Sequence, residues 1–286
     1  MLSQHKKKIP VILIFLFLLL SLFSSKYNDE NFNSIRINNK EKYSNKIPIF
    51  TFHRLVPDKV KKKLYMNDEW VGSINIFKKM VKYIYYNGYK TLSTEDFYKW
   101  YIGEVEYNKK TLLITIDDGF YEDYYLVYPI IKKYNLRATS FVVGSRIKFK
   151  TAPYNRYTPS YIGLDLINKV RKEYPKFEFQ SHSFNMHFLV RNSQQKLNHG
   201  ISSMFYEEIE NDILKNIQFG FTTMAYPYGA FTAEIKELLE KHGYLIAFRF
   251  GPANYATRNS DRFAIPRIKL NGYSTLDDLK KWLKYV

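Results

Sequence analysis

The chain has 286 residues and not one cysteine. That excludes a disulfide scaffold and any thiolate metal site. It leaves the compartment open, since exported bacterial proteins often lack cysteine as well. Histidine is scarce, with six in all. Acidic residues are outnumbered: 27 Asp and Glu face 44 Lys and Arg, a formal charge of +17. An excess of this size suits a polyanionic neighbour such as nucleic acid, anionic lipid or an acidic wall polymer. The abundance of Lys, Asn, Ile and Tyr offers the plainer alternative, the composition bias of an AT-rich genome. No internal repeat is visible.

Long apolar runs are also nearly absent, and the exception is informative. His5-Lys6-Lys7-Lys8 precedes "IPVILIFLFLLLSLF", Ile9 to Phe23, the charged and apolar regions of an export signal. The run is shorter than the roughly 20 residues of a full span, although extension through Ser25 would bridge a bilayer. No Ala-x-Ala cleavage site follows, only Ser24-Ser25. Residues 1–25 are therefore expected to be a signal peptide or a membrane anchor. The positive-inside bias puts the rest outside the cytoplasm. This disfavours a nucleic-acid partner and favours a wall or extracellular polymer, met by a monomer held at or released from the membrane.

Residues 26–46, rich in Asn, Lys and Ser, read as a polar linker. The remainder, 47–286, has enough apolar material for one sizeable core, at 45% hydrophobic over the whole chain. Here short apolar strands alternate with amphipathic helices. "IPIFTFH" is a strand; "INIFKKMVKYIYYNGY" puts Phe77, Met80, Val81 and Ile84 on one helical face and stops at Gly88. "TLLITIDD", "ATSFVVG", "FEFQ", "TTMAYP", "YLIAFRF" and "FAIPRIKL" continue the strands. "STEDFYKWYIG", "YEDYYLVYPIIKKYN", "YIGLDLINKVRKEYP", "MFYEEIENDILKNIQ", "FTAEIKELLEKHG" and "STLDDLKKWLKYV" supply the helices. Alternation of this kind predicts a parallel sheet with helices outside. About seven units suit a distorted (β/α) barrel, whose chemistry lies at the carboxyl ends of its strands.

Three polar clusters stand at such ends. "TLLITI" runs into Asp117-Asp118-Gly119, "FEFQ" into Ser181-His182 with His187 beyond, and "TTMA" into Tyr226-Pro227-Tyr228-Gly229. Residues five apart on an α-helix diverge by about 140°, so His182 and His187 share a ligand only if a bent loop carries them. Adjacent carboxylates ending an apolar strand need a positive partner. One Asp and two His make the ligand set of an open catalytic zinc site. Singly, each cluster reads as an ordinary turn or a coincidence; their joint placement favours the metal.

"TIDDGF", "SHSFNMH" and "AYPYG" resemble the three motifs of the polysaccharide deacetylases, carbohydrate esterase family four with the NodB homology domain. The five-residue histidine spacing, together with "FHRL", "YPIIKKYNLRAT" and "IPRI", resembles the intercellular-adhesin deacetylases of poly-N-acetylglucosamine. The likeness spans roughly residues 48 to 286. It implies a metal-dependent N-deacetylase of an N-acetylglucosamine polymer, with Asp118, His182 and His187 holding one divalent ion, Zn2+ first and Co2+, Ni2+ or Fe2+ as alternatives. It implies Asp117 as general base, and Tyr226, Pro227 and Tyr228 as the substrate and oxyanion loop, through the Tyr228 backbone N–H. Two departures follow. The arginine that orients the base in the family is Ala225 here, and Arg267 is the substitute candidate. The acid histidine near the family's C-terminus is missing, and His53, ending the first strand, takes its place if the barrel is circularly permuted, because first and last strands are neighbours.

Competing readings are an O-acetyl esterase of the same fold and a non-catalytic carbohydrate-binding barrel at the cell surface. Retention of an apparent metal triad argues against the latter. A non-haem iron oxygenase also uses two His and a carboxylate, but βα alternation disfavours its fold.

Overall fold

The computed structural model describes residues 43–286, apart from 156 and 192. The expected signal or anchor lies outside the described residues, as does most of the expected linker. Ser44 and Lys46, within the expected linker, are tied to the domain. The Ser44 N–H already donates to the Tyr107 carbonyl at 2.8 Å, and Lys46–Ile47 pairs antiparallel with Ala256–Thr257. Among the described residues no helix is long and apolar enough to cross a membrane.

Among the described residues the central sheet has eight strands; Lys90–Thr91 pairs with Thr111–Leu112 off its main path, and seven make up that path: β1 (Ile49–Phe52), β2 (Thr111–Asp118), β3 (Ala138–Val142), β4 (Phe177–Ser181), β5 (Thr223–Ala225), β6 (Ile246–Phe248) and β7 (Ile268–Lys269). Their spatial order is β6-β5-β4-β3-β2-β1-β7, and every pairing along it is parallel. The N-terminal strand lies between β2 and the C-terminal strand, the neighbourhood that a permuted barrel requires. Closure is partial. The outer strands β6 and β7 do not pair in a ladder among the described residues; the Phe248–Ile265 bridge ahead of β7, with its flanking hydrogen bonds, links the two sides. Both faces of the sheet are covered, which is why "TLLITI" is an unbroken apolar run and not an alternating one.

The helices follow their sequence signals. Helix α1 (Ile74–Tyr86) starts at Ser73, whose side chain accepts the Ile76 N–H, and buries Phe77, Met80, Val81 and Ile84. Each such burial is worth about 1.5–3 kcal/mol. Helix α2 (Thr94–Tyr101) opens with a capping box between Ser93 and Asp96. The stretch "YEDYYLVYPIIKKYN" is not one regular helix: a π-helical segment over Asp123–Val127 feeds α3 (Tyr128–Lys133). Pro129 has no N–H to donate into the preceding turn, and the wider turn accommodates that. Helices α4 (Leu164–Glu173), α5 (Tyr206–Ile217), α6 (Ala233–Lys241) and α7 (Leu276–Leu283) complete the layer. Two additions had no clear sequence signal. A helix over Asp58–Leu64 sits between the paired strands Arg54–Val56 and Val71–Ser73. A short hairpin joins Leu189–Arg191 to Leu197–His199.

Candidate active site

Period-two alternation decides what fills the barrel. Ile49, Leu113, Phe141, Ala225 and Phe248 share one apolar cluster, whereas their strand neighbours Phe50, Leu112, Ile114 and Val142 pack in another. The first set is the interior. Two residues further along β1 and β2, Thr51 and Thr115 face each other across 3.1 Å. Two further again come His53 and Asp117, set level by the register Phe52↔Ile116. The polar site is thus the top layer of a core that is apolar beneath.

Asp118 should face outward on this alternation. Its φ of 83° breaks the strand there and turns its carboxylate back into the cleft, beside Asp117. Ser183 and Tyr228 also hold positive φ, at 64° and 58°. Such backbones cost about 1–3 kcal/mol each and are sustained by the surrounding structure. All three lie in the polar clusters at the strand ends.

The register also places the two histidines. Asp118 is level with Val142, Val142 with Ser181, and Ser181 with Met224. His182 and Ala225 follow that level on adjacent strands, and His182 Nδ1–H donates to the Ala225 carbonyl at 2.8 Å. This fixes the tautomer and leaves Nε2 free, 3.8 Å from Asp118 Oδ1. His187 Nδ1 meets the Tyr228 hydroxyl at 3.3 Å, and its Nε2 lies 2.9 Å from the same Oδ1. The donor atoms of Asp118, His182 and His187 fall within 4.8 Å of one another. Three convergent N and O donors without sulfur suit a divalent ion. Burial pushes the His182 imidazole down to about 4, so it is the neutral form that meets the carboxylate. Burial works to raise Asp118, but the hydrogen bond from His187 and the nearby imidazoles outweigh it and hold the carboxyl well below its ordinary range.

Asp117 is not part of that triad. Arg267 donates Nη1–H to its Oδ1 at 2.8 Å and Nη2–H to its Oδ2 at 2.7 Å, a two-pronged contact. The pair is out of solvent, with side chains 0% and 2% exposed. Arg267 Nη1 also reaches Thr115 Oγ1 at 3.3 Å. Burial raises the Asp117 carboxyl, and Arg267 reverses that and keeps it ionised. His53 Nε2 stands 3.9 Å from Asp117 Oδ2. Its ring is packed edge-on against Trp70 and Phe250, at 4.7 and 5.8 Å. That burial lowers the imidazole, against the pull of both carboxylates.

His53, both aspartates, both histidines and Tyr228 open onto one cleft of about 400 Å3. Its walls include Trp70, Leu189 and Phe250, which the sequence reading did not single out. Trp70 had a faint signal, a lone tryptophan in the polar stretch "MNDEW". Arg146 approaches from beyond β3, 4.0 Å from Asp118 Oδ1 and over the Tyr161 ring. Tyr228 is 38% exposed and is stacked by His199 of the hairpin at 5.1 Å. Gly229 has a φ of +71°, and a Cβ there would stand 2.5 Å from Phe250 Cβ, so glycine lets the two walls meet.

Tyr226 departs from expectation. A substrate contact was expected, but its ring is fully buried, stacked on Phe231, with its hydroxyl donating to the Phe263 carbonyl at 2.8 Å. Its side chain packs in the core, and the residue closes the cleft wall from behind. Pro227 is likewise buried and opens the 3-10 turn that presents Tyr228.

Comparison with known proteins bears on the family and the fold. Residues 104–247 match the family profile "Polysaccharide deacetylase". A "Poly-beta-1,6-N-acetyl-D-glucosamine N-deacetylase" of Staphylococcus aureus is 27% identical over 213 residues, covering 72% of this chain and 70% of the relative. Among solved structures, a de-N-acetylase from Aggregatibacter actinomycetemcomitans superposes with a TM-score of 0.71 at 20% identity, over 83% of this chain and 99% of the other. The Streptococcus pyogenes deacetylase PplD gives 0.68 at 18% identity, over 82% and 97%. The family match spans half of the sequence and includes the strand ends bearing both aspartates, both histidines and Tyr228, and the chain belongs to the polysaccharide deacetylase family.

Proposed function

We propose that this chain removes acetyl groups from N-acetylglucosamine residues of a poly-β-1,6-linked polymer outside the cytoplasm, by hydrolysis at the cleft described above. The observation that carries the reading is that two adjacent aspartates make separate sets of contacts. Asp118 joins His182 and His187 as a set of donors, while Asp117 is held off that set by Arg267.

In this reading Asp118, His182 and His187 hold a divalent ion, Zn2+ first among the candidates. Such an ion supplies Lewis-acid polarisation of the acetyl carbonyl and acidifies a water from about 15.7 toward 7. Asp117, kept ionised and oriented by Arg267, accepts the proton of the attacking water. The water oxygen adds to the acetyl carbon. The Tyr228 N–H, at the strained turn, faces the developing oxyanion. His53, on the far side of Asp117 and walled by Trp70 and Phe250, gives a proton to the departing nitrogen. The C–N bond breaks, and acetate and a free amine leave. Arg267 stands in for the arginine that the family keeps at the position of Ala225. Trp70, Phe250 and Tyr228 offer aromatic faces to the sugar rings.

The polymer is inferred from what the staphylococcal relatives are named for. The extracytoplasmic site, with a signal or anchor over residues 1–25 and a linker behind it, rests on the basic and apolar N-terminal segment. The test is acetate release by the full-length protein from poly-β-1,6-N-acetylglucosamine, peptidoglycan and an O-acetylated polysaccharide, read by mass spectrometry of the polymers. Loss of N-acetyl groups from the first alone is expected. Release from the O-acetylated polymer alone would establish an esterase instead, and release from none would leave a binding barrel.

A further inference from the structure

The four residues between His182 and His187 must turn the chain so that both rings face Asp118. Their backbone is almost fully spoken for. Ser183 takes the positive φ of 64°, and its hydroxyl accepts the Met186 N–H at 3.1 Å. The carbonyls of Ser183 and Phe184 accept the N–H groups of Gly144 and Ser145 at 2.9 and 2.8 Å. The Ser183 N–H donates to Ser181 Oγ at 3.2 Å, and the other two N–H groups, of Phe184 and Asn185, both point at one carboxylate. Asp212 Oδ1 accepts the first and Oδ2 the second, each at 2.6 Å.

Asp212 comes from α5 and is buried, in phase with Ile209 and Ile213 on the core-facing side of that helix. Its charge is met by amide N–H groups and not by a salt bridge, and burial pushes its carboxyl up to about 6. A helix that needed only to fill the core would carry an aliphatic residue here, since a buried carboxylate is costly. One turn on, Asn216 Nδ2–H donates to Ser181 Oγ at 2.9 Å, one residue before His182. The loop also sits hard against Gly144, where a Cβ would stand 2.4 Å from Asn216 Oδ1 and 2.7 Å from the Phe184 ring.

We infer that Asp212 is a positioning residue for the metal site: its carboxylate clamps the 183–186 loop, so that the five-residue spacing delivers both histidine Nε2 atoms to Asp118. The inference rests on the reading of Asp118, His182 and His187 as ligands. It predicts that loss of the clamp loosens the ligand set without unfolding the barrel. Partners one step behind metal ligands typically change affinity by 10–100-fold.

The test uses the full-length protein stripped of metal and titrated with Co2+, reading the visible d–d absorption. Asp212→Asn keeps the volume but offers one acceptor where two are needed; Asp212→Ala offers none. Co2+ affinity should fall about 10–100-fold in Asp212→Asn and at least as far in Asp212→Ala, with a changed band shape. Amide exchange at Phe184 and Asn185 should quicken in metal-free Asp212→Asn while α5 stays protected. A wild type that takes up no Co2+ would sink the ligand reading, and this inference with it. A wild type that binds Co2+ beside an Asp212→Asn variant of equal affinity and spectrum would overturn this inference alone. If Asp212→Ala does not fold, Asp212→Asn carries the comparison. If neither folds, Asp212 serves the fold and not the site, and the inference falls.

Discussion

Arg267 and Asp117 form the contact whose removal should be most costly. Arg267→Gln leaves a carboxylate that is 2% exposed without its cation, and Asp117→Asn leaves a guanidinium that is 0% exposed without its anion. Solvent cannot screen either orphan. Removing one partner of a buried pair typically costs about 3–5 kcal/mol, whereas replacing both is far gentler because no charge is left uncompensated. The double variant Asp117→Asn/Arg267→Gln puts two neutral amides in the same space. Urea unfolding of the metal-free proteins should therefore give single-variant losses of about 3–5 kcal/mol. The double variant should fall short of their sum by about 2–3 kcal/mol, at the top of the range for coupled neighbours. Acetate release should be lost in all three, so that stability and activity separate in the double variant. Additive losses, with coupling below about 0.5 kcal/mol, would refute the argument that the fork and the carboxylate act as one unit.

Two further outcomes follow. An acid matters for an amide, whose amine departs poorly unprotonated, and little for an activated aryl acetate. His53→Ala should thus slow N-deacetylation by about 10²–10⁴-fold and spare an aryl acetate, with bound metal unchanged; equal losses on both substrates would point to a folding defect. Burial raises the Asp212 carboxyl to about 6, above the roughly 3.9 of a free aspartate. Its charged form therefore destabilises the fold, a penalty that is complete above about pH 6 and disappears as pH falls toward 4. Between pH 7.5 and 5 the metal-free wild type should gain about 1–1.5 kcal/mol relative to Asp212→Asn in urea unfolding; a gap that is flat with pH would mean that burial does not perturb this group.

The sheet was legible because its strands are buried on both faces, and such strands announce themselves as apolar runs. The helices were legible where an apolar stripe and a cap coincide, as at Ser73 with Phe77, Met80, Val81 and Ile84. Segments stabilised mainly by contacts distant in sequence were not. The last strand shrinks to Ile268–Lys269, since Pro266 has no N–H for a ladder. The hairpin ending at His199 has edges that are mostly exposed, so no alternation marks it.

The candidate site was legible as residue types at strand ends, and less so as directions. Tyr226 and Tyr228 sit two apart in one motif, yet one ring is fully buried and the other is exposed at the cleft. What separates them is the positive φ at Tyr228, and neither composition nor spacing reports a backbone angle at a residue other than glycine. The same holds for Asp118, whose side chain faces the cleft because its backbone leaves the strand. Asp212 was legible in principle. It lies in "IENDILKN", where Asp212 and Asn216 fall in the helical phase of Ile209 and Ile213. Carboxylates seldom occupy that phase without a partner. Read forward, the signal says only that something donates to the carboxylate. That the donors are the two amides of the loop between the histidines depends on β4 delivering His182 beside α5, a fact of the barrel's packing that no local pattern in the chain contains.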